Sequence, residues 1–402
     1  MTGAQWRLII LLLLSVAINY IDRGNLSVAA PRLSAELNIR PDQLGALHSL
    51  FFLTYALCQI PAGWMVDRFN VSLVFAGGYF LWSLATGLTG FVHGFLALAG
   101  LRLLLGVGES IAFPSYSKFL ANVFPEHQRG TANALIDSGT KIGPTLGIFV
   151  GGMIVAHLGW RSVFFIVGFL SMAWLVPWFK WAPRTVHQEA KALGPCASLS
   201  EIVRQRSAWG TFLGLLCINY AWYFLLTWMP YWLVKERHFS MDRMALFGSI
   251  PYAGAAVSSI MWGWLSDRLI RRGYSPTKVR KRFVVTGLLT STVMLPAAMV
   301  SDNMLSIGLL TLALFCFTLT GTHWAISQTL AGPVAAGKWT GVQNTVGNVA
   351  GWLAPFITGL IVQHTGKFFY AFVAAAVALV LGACSYGLLI REVAPIRWKA
   401  QA

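Results

Sequence analysis

The chain has 402 residues, of which 56% are hydrophobic and only 11% carry a charged side chain. Soluble domains carry about 25% charged residues, so this composition excludes a soluble enzyme, a disordered chain and a nucleic-acid-binding domain. The net charge of +16 therefore needs another explanation, and the five cysteines have neither paired nor metal-ligand spacing. The composition indicates a polytopic membrane protein with no metal and no cofactor.

Twelve apolar runs are long enough to cross a bilayer core, which needs about 20 residues per helix. The first run could be a signal peptide, because Arg7 precedes a short apolar stretch, but polar residues 19–23 stand where a cleavage site would lie. We therefore predict an all-α membrane protein with twelve transmembrane helices. The predicted spans are residues 7–29, 43–65, 72–91, 95–120, 130–156, 161–182, 208–233, 244–266, 282–300, 304–330, 339–363 and 367–390.

The distribution of lysine and arginine predicts the orientation of the chain. With the N-terminus inside, 20 of the 30 basic residues fall in cytoplasmic segments and 7 fall in outer loops. This bias predicts that both termini are cytoplasmic, and it explains the net charge through attraction to anionic lipid of the inner leaflet. The compact loops and the lack of a cleavable signal favour a bacterial inner membrane.

The two halves of the chain resemble each other at a constant offset of 200 residues. Ile-Asn-Tyr at 18–20 recurs at 218–220, and the segment 63–68 recurs with the same Gly-Trp start and Asp-Arg end at 263–268. Two motifs at one offset indicate duplication of a six-helix unit, which gives parallel repeats about an axis along the membrane normal. The predicted domains are an N-terminal six-helix bundle (1–182), a cytoplasmic linker (183–206) and a C-terminal six-helix bundle (207–402).

The repeated Gly-x-x-x-Asp-Arg segment resembles the signature loop of the major facilitator superfamily, with a first copy at 63–68 and a weaker one at 263–268. The resemblance covers the whole chain and implies two pseudo-symmetric six-helix bundles that work as a monomer. A carboxylate and a guanidinium at helix ends can form charge-assisted bonds that break when one bundle rocks against the other. The expected gating residues are Asp67, Arg68, Asp267 and Arg268.

The first and fourth predicted helices carry ionisable residues inside their spans, Asp22 and Arg23 in the first helix and Arg102 and Glu109 in the fourth. An ionisable group at a bilayer centre costs about 2.5–3.5 kcal/mol on insertion scales, so each needs a reason. One interpretation is that the four charges form static pairs that hold helices together. We favour a functional one: arginine stays charged and can bind an anion, whereas a carboxylate can take up and release a coupling proton.

The spacing within the fourth helix supports this interpretation. Arg102 and Glu109 are seven residues apart, which is nearly two turns, so they share one helix face about 10 Å apart along the axis. Gly106 and Gly108 lie between them and leave room for a neighbouring backbone.

Two motifs narrow the resemblance. Asn-Tyr-x-Asp-Arg-x-Asn at 19–25 and Arg-x-x-x-Gly-x-Gly-Glu at 102–109 resemble the anion:cation symporter family, which includes bacterial sugar-acid permeases, sialin and vesicular glutamate transporters. The resemblance implies that Asp22 and Glu109 couple protons. With Tyr20 from the polar stripe of the first helix, the expected substrate-binding residues outside helix five are Tyr20, Arg23, Tyr55, Arg102, Trp324 and Asn344.

Helix five departs from the pattern of the sugar-acid permeases. Thr140 stands where those proteins tend to have a glutamine that binds substrate hydroxyls, and Lys141 adds a cation. Lys141 could pair with Asp137 four residues earlier, or it could face the cavity as a third anion-binding group. The second alternative points to a dicarboxylate or an otherwise more acidic substrate, and we include Thr140 and Lys141 among the expected substrate-binding residues.

These features predict a secondary transporter, which takes up an organic anion with protons by alternating access. A sugar acid such as galactonate, glucarate or a hexuronate is the first choice; an aromatic or dicarboxylic acid, or sodium coupling or exchange, is the alternative. The segment 106–109 also resembles the Gly-x-Gly-Asp of membrane-embedded aspartic proteases, but its glutamate and nearby arginines disfavour an enzyme. The expected partners are the anion, the proton and membrane lipid.

Overall fold

The computed structural model describes residues 1–124, 126–182 and 198–398, without the side chains of residues 67, 121, 126, 127, 129–131, 333, 334, 336 and 337. In this part of the chain twelve helices are long and apolar enough to span a membrane, which confirms the predicted all-helical fold. They are α1 (Gly3–Leu37), α2 (Pro41–Val66), α3 (Val71–Thr89), α4 (Phe95–Leu120), α5 (Ala132–Leu158), α6 (Trp160–Trp181), α7 (Arg206–Lys235), α8 (Met241–Arg271), α9 (Pro276–Met299), α10 (Asn303–Gly332), α11 (Lys338–Thr365) and α12 (Phe369–Leu389).

The chain forms two compact units. Unit 1 consists of Met1–Glu189, Leu226–Ser249 and Pro355–Thr365, and unit 2 consists of Ala190–Leu225, Ile250–Ala354 and Gly366–Ala402. Residues 183–197 of the predicted linker lie outside the described residues. The division into bundles at 182 and 207 stays a prediction.

In unit 1, glycines on one face of α5 allow a close approach to α1. Gly139, Gly143 and Gly147 are four residues apart and therefore lie along one side of the helix. A Cβ atom at Gly143 would lie 2.6 Å from Cβ of Tyr20, and one at Gly139 would lie 2.9 Å from the carbonyl oxygen of Leu13. Any larger side chain would push α1 away, so this face sets the position of the polar stripe of α1.

A cluster of aromatic rings fills the core of unit 1 between α3, α4 and α6. The ring of Phe75 makes edge contacts with all of its aromatic neighbours, and the Tyr79 ring stacks on Trp174 with 4.2 Å between ring centroids. Edge contacts of this kind stabilise by about 0.5–1.5 kcal/mol each beyond burial, so the cluster holds these helices rigidly. The neighbours of Phe75 are Tyr79, Trp82, Tyr116, Phe119, Trp174 and Trp178.

Unit 2 repeats the α1–α5 packing at the offset of 200 residues. Gly347 of α11 packs against Asn219 of α7, and the Asn219 side-chain amide donates a 3.0 Å hydrogen bond to the Gly347 carbonyl oxygen. Its counterpart Gly147 of α5 packs against Ile21 of α1, where a Cβ atom would lie 3.3 Å from Cα. Two helix pairs related by the same offset therefore pack through the same position, as expected after duplication.

Unit 1 also contains two places where a helix of the first half of the sequence packs on a helix of the second half. A Cβ atom at Gly45 of α2 would lie 2.6 Å from the carbonyl oxygen of Pro355 in α11. A Cβ atom at Gly152 of α5 would lie 2.5 Å from Cβ of Ala245 in α8. Both crossings depend on the absence of a side chain, since real Cβ contacts are not this short.

Candidate functional site

The four predicted intramembrane charges are all buried in unit 1. Asp22 is 1%, Arg23 5%, Arg102 4% and Glu109 0% exposed. Arg23 Nε donates a 2.8 Å hydrogen bond to Glu109 Oε2, which joins α1 to α4 through a fully buried ion pair. An ion pair removed from water in this way is held by charge-assisted bonding, and removal of either partner leaves an uncompensated buried charge.

Three aromatic rings surround the Arg23 guanidinium. Its central carbon lies 4.8 Å from the ring centroid of Tyr20, 4.7 Å from that of Tyr55 and 5.3 Å from that of Phe51. Each ring face attracts the cation, by about 2 kcal/mol or more where water is excluded. The structure thus brings together Tyr20, Arg23, Tyr55 and Glu109, four of the residues that the sequence analysis assigned to substrate or proton binding.

Phe51 is a member of this group that the sequence analysis did not identify. It lies four residues before Tyr55, hence on the same face of α2, and the two rings stack with centroids 5.8 Å apart. The four-residue spacing from a tyrosine already assigned to the site is the signal that could have found it.

Asp22 makes a hydrogen bond within its own helix. Its Oδ1 accepts a 3.3 Å hydrogen bond from the side-chain amide of Asn25, and the carboxyl group also interacts with the Thr86 hydroxyl of α3. Arg102 attracts both Asp22 and Glu109, and the two carboxylates repel each other. The four charges therefore form one electrostatic group, in which Arg23 is paired with Glu109 and Arg102 attracts both carboxylates.

Two glycines of α4 allow a close approach to α2 and α3, and this packing sets the positions of Arg102 and Glu109. A Cβ atom at Gly106 would lie 2.4 Å from the carbonyl oxygen of Phe51 in α2, and one at Gly108 would lie 2.8 Å from the backbone nitrogen of Trp82 in α3. The predicted close approach of neighbouring backbones is therefore confirmed. The α-helix Phe95–Ser110 ends in an irregular turn at Ile111, directly after Glu109 and Ser110.

In α5, Thr140 is buried and Lys141 pairs with its helical neighbour. The Thr140 hydroxyl donates a 2.7 Å hydrogen bond to the carbonyl oxygen of Asp137, within its own helix. Lys141 Nζ lies 2.5 Å from Asp137 Oδ2, as one of the two sequence-based alternatives expected. This pair is partly exposed, with the Lys141 side chain 23% and the Asp137 side chain 62% accessible.

The remaining predicted substrate residues, Trp324 and Asn344, lie in unit 2. Trp324 is 36% exposed, and its ring lies 4.7 Å from that of His323 between centroids. Asn344 of α11 is half-buried, four residues before the buried Asn348. The Tyr223 hydroxyl donates a 3.5 Å hydrogen bond to Asn348 Oδ1, so two polar side chains join α7 to α11 in this unit.

The predicted gating residues lie at helix ends. Arg68 is the last residue of the helix that begins at Pro41 and is exposed, whereas the side chain of Asp67 lies outside the described part of the structure. Asp267 and Arg268 are exposed near the end of α8, and the Arg268 guanidinium lies 4.8 Å from the ring centroid of Trp264. Within the described residues no group of three His, Cys, Asp or Glu side chains could hold a metal ion.

Comparisons with known proteins agree with this architecture. The Major Facilitator Superfamily profile matches residues 12–355. The D-galactonate transporter of Escherichia coli O6:H1 is 30% identical over 96% of this chain and 95% of its own length. A protein of E. coli K12 named a probable galactarate/D-glucarate transporter is 29% identical over 100% and 96%. A bacterial homologue of the human lysosomal transporter Spinster has the same fold, with a TM-score of 0.83 at 18% identity over 98% of both chains.

The family match and the named relatives show a multi-pass inner-membrane transporter rather than an enzyme, and the twelve apolar helices of the described residues fit this class. The chain belongs to the Major Facilitator Superfamily, and both of these bacterial relatives are named as sugar-acid transporters. This confirms the family predicted from the motifs at 19–25 and 102–109.

Proposed function

We propose that the protein is a symporter that takes up a sugar acid together with protons by alternating access. The observation that carries the proposal is the buried ion pair between Arg23 and Glu109, with Arg102 and Asp22 beside it. Two cations that stay charged and two carboxylates that can be protonated supply what anion–proton coupling requires.

The arginines bind the substrate carboxylate. Arg23 is presented by α1 within its ring of aromatic side chains, and Arg102 comes from α4, so a planar carboxylate has two guanidinium groups available. Tyr20 and Tyr55 lie against Arg23 and contact the substrate, together with Thr140. The roles of Arg23, Arg102 and Tyr55 follow the family resemblance, whereas Tyr20 is assigned from the polar stripe of α1 and Thr140 stands where the family tends to have a glutamine.

The carboxylates carry the proton because they compete with the substrate for the same arginines. When the substrate anion occupies Arg23, Glu109 loses its ion-pair partner and becomes a buried, uncompensated charge. Such a charge costs several kcal/mol, about 3–5 when one partner of a buried pair is removed, and protonation of Glu109 relieves this cost. Asp22, coupled electrostatically to Glu109 and Arg102, takes part in the same exchange.

The topology completes the proposal. Both termini lie in the cytoplasm, as the 20-to-7 distribution of basic residues favours. The gating residues then lie at the cytoplasmic ends of their helices; they are Asp67 and Arg68 and, in the repeat, Asp267 and Arg268. Their bonds hold the cytoplasmic side closed while the outer side is open, and they break when the outer side closes. The protein acts as a monomer in a lipid bilayer.

On this topology the crossing of α2 and α11 at Gly45 closes the outer side, and a larger residue there prevents closure. We expect Gly45→Val to lower the uptake rate about tenfold, since overpacking costs about 1–3 kcal/mol. Gly77→Val in α3 is the matched control, because a Cβ atom at Gly77 meets nothing within 4 Å. Equal uptake by the two variants at equal expression would show that this crossing need not close.

The test of the proposed function is uptake of labelled acids into proteoliposomes with and without an inward proton gradient. The panel contains galactonate, galactarate, glucuronate, an aromatic acid and an unsubstituted dicarboxylate. Accumulation of a sugar acid only under the gradient supports the proposal. Accumulation driven by sodium, or only counterflow, overturns the proton role, and accumulation of only aromatic or unsubstituted acids overturns the substrate class.

A further inference from the structure

We propose that Lys141 binds the second carboxylate of a sugar diacid, so that the preferred substrate is an aldarate with a carboxylate at each end. This inference rests on the proposed function and specifies the substrate class of the same site. In the structure Lys141 is paired with Asp137, and we infer that this carboxylate occupies Lys141 until the substrate replaces it.

The first argument is the direction in which Lys141 points. Lys141 is two residues from Gly143 and so lies about 160° around the helix from the face that packs on α1. It is seven residues before Ile148 and eleven before Gly152, which places each of these two residues within about 20° of Lys141 around the helix. Gly152 is the residue that meets Ala245 of α8, so Lys141 continues the face of α5 that meets the second half of the sequence.

The second argument is exposure. Asp137 and Lys141 lie within the span Ala132–Leu158, yet their side chains are 62% and 23% accessible. Ionised groups in a membrane-spanning helix face a water-filled cavity or another protein group rather than lipid. Accessible charges on this face of α5 therefore line an aqueous path, where an anionic substrate can reach them.

The third argument is the weakness of the pair. Partly exposed ion pairs between residues i and i+4 of a helix shift an equilibrium by only about twofold. A substrate carboxylate can therefore replace Asp137 as the partner of Lys141 at little cost. Replacement within the buried Arg23–Glu109 pair is different, because Glu109 then needs a proton.

The fourth argument is the distance between the cationic groups along the helix axes. Helices α1 and α5 run in the same direction, since Gly139 lies at the level of Val16 and Gly147 at that of Ile21. Lys141 is two residues before Gly143, which meets Tyr20, and Arg23 is three residues beyond Tyr20. At 1.5 Å per residue this gives an axial separation of about 7.5 Å. Five carbon–carbon bonds of about 1.5 Å in a zigzag make an extended six-carbon chain about 6 Å long, which covers most of this axial separation.

The experiment compares galactarate with galactonate, which share a carbon chain and differ in a carboxylate at one end. We expect Lys141→Gln to raise the galactarate KM about 10- to 100-fold, the usual effect of losing a hydrogen bond to a charged group. The galactonate KM should change by less than about twofold. Lys141→Arg should retain the galactarate preference, which separates loss of charge from misfolding.

Asp137→Asn is the matched variant on the other side of the pair. It removes the competing carboxylate and leaves Lys141 in place, so we expect a lower galactarate KM and an unchanged galactonate KM. Equal changes for both acids, or no change for either, would overturn the role of Lys141. Transport of galactonate without transport of galactarate by the unmodified protein would also overturn it, while leaving the proposed function intact. Transport of glucuronate but of neither of these acids would overturn the inference alone, and transport of none of the sugar acids would overturn the proposed function.

Discussion

Replacing Glu109 by glutamine is expected to abolish proton-driven accumulation while substrate binding and exchange persist. Glutamine keeps the shape and a hydrogen-bond acceptor for Arg23, but it cannot take up a proton when the substrate displaces it. A gradient of one pH unit is worth about 1.4 kcal/mol, or about tenfold accumulation, for each coupled proton. The measurement is the steady-state internal concentration in proteoliposomes at several pH gradients, beside counterflow without a gradient.

Glu36→Gln serves as the control for this variant. Glu36 is a carboxylate near the end of the same helix, α1, and accepts hydrogen bonds from Arg161 and, at 2.6 Å, from the indole nitrogen of Trp160. It lies outside the buried charge group, so its neutralisation should leave gradient-driven accumulation unchanged. Full accumulation by Glu109→Gln would remove Glu109 from the coupling step.

Replacing Arg102 by alanine is expected to abolish both binding and uptake. Arg102 is fully buried and attracts Asp22 and Glu109, so its loss removes an anion-binding group and leaves carboxylates without compensation. Truncation of one partner in a buried charged group costs about 2–5 kcal/mol, which corresponds to a 30- to 5,000-fold loss of affinity. The measurement is equilibrium binding of the transported acid to purified protein, together with uptake.

Two comparisons separate binding from folding in this experiment. Arg102→Lys keeps the charge without the planar guanidinium, so partial binding is expected. Arg161→Ala removes a half-buried arginine of unit 1 that bonds to Glu36 outside the buried charge group, and this variant should bind substrate normally. Normal binding by a well-folded Arg102→Ala protein would show that Arg23 alone holds the substrate carboxylate.

The sequence predicted the helices and the charged residues well because a bilayer imposes simple requirements. A span needs about 20 apolar residues, so twelve runs could be counted directly, and an ionisable residue inside a run stands out. The glycines at 106 and 108 similarly indicated a close helix contact, which the structure shows against α2 and α3.

The sequence could not choose the partners of those charges. Asp22 and Arg23 are neighbours in α1, and Arg102 and Glu109 share a face of α4, yet the buried pair joins Arg23 to Glu109 across the two helices. That choice depends on how α1 and α4 are rotated about their axes. The rotation is set by glycine contacts with other helices, those of α1 with α5 and those of α4 with α2 and α3. Phe51 was not predicted either, because a phenylalanine in an apolar helix is as common in packing as in a binding site, and only the rotation of α2 shows which it is.

The aromatic cluster around Phe75 has a consequence for optical work on this protein. Trp82, Trp174 and Trp178 are fixed within it, so they should contribute emission that does not vary with ligand. Trp228 is placed differently: its indole nitrogen donates a 3.2 Å hydrogen bond to the carbonyl oxygen of Pro355, at the crossing where α2 meets α11. The emission of Trp228 can therefore follow that crossing without an attached dye, while the three tryptophans of the cluster contribute a constant part of the signal.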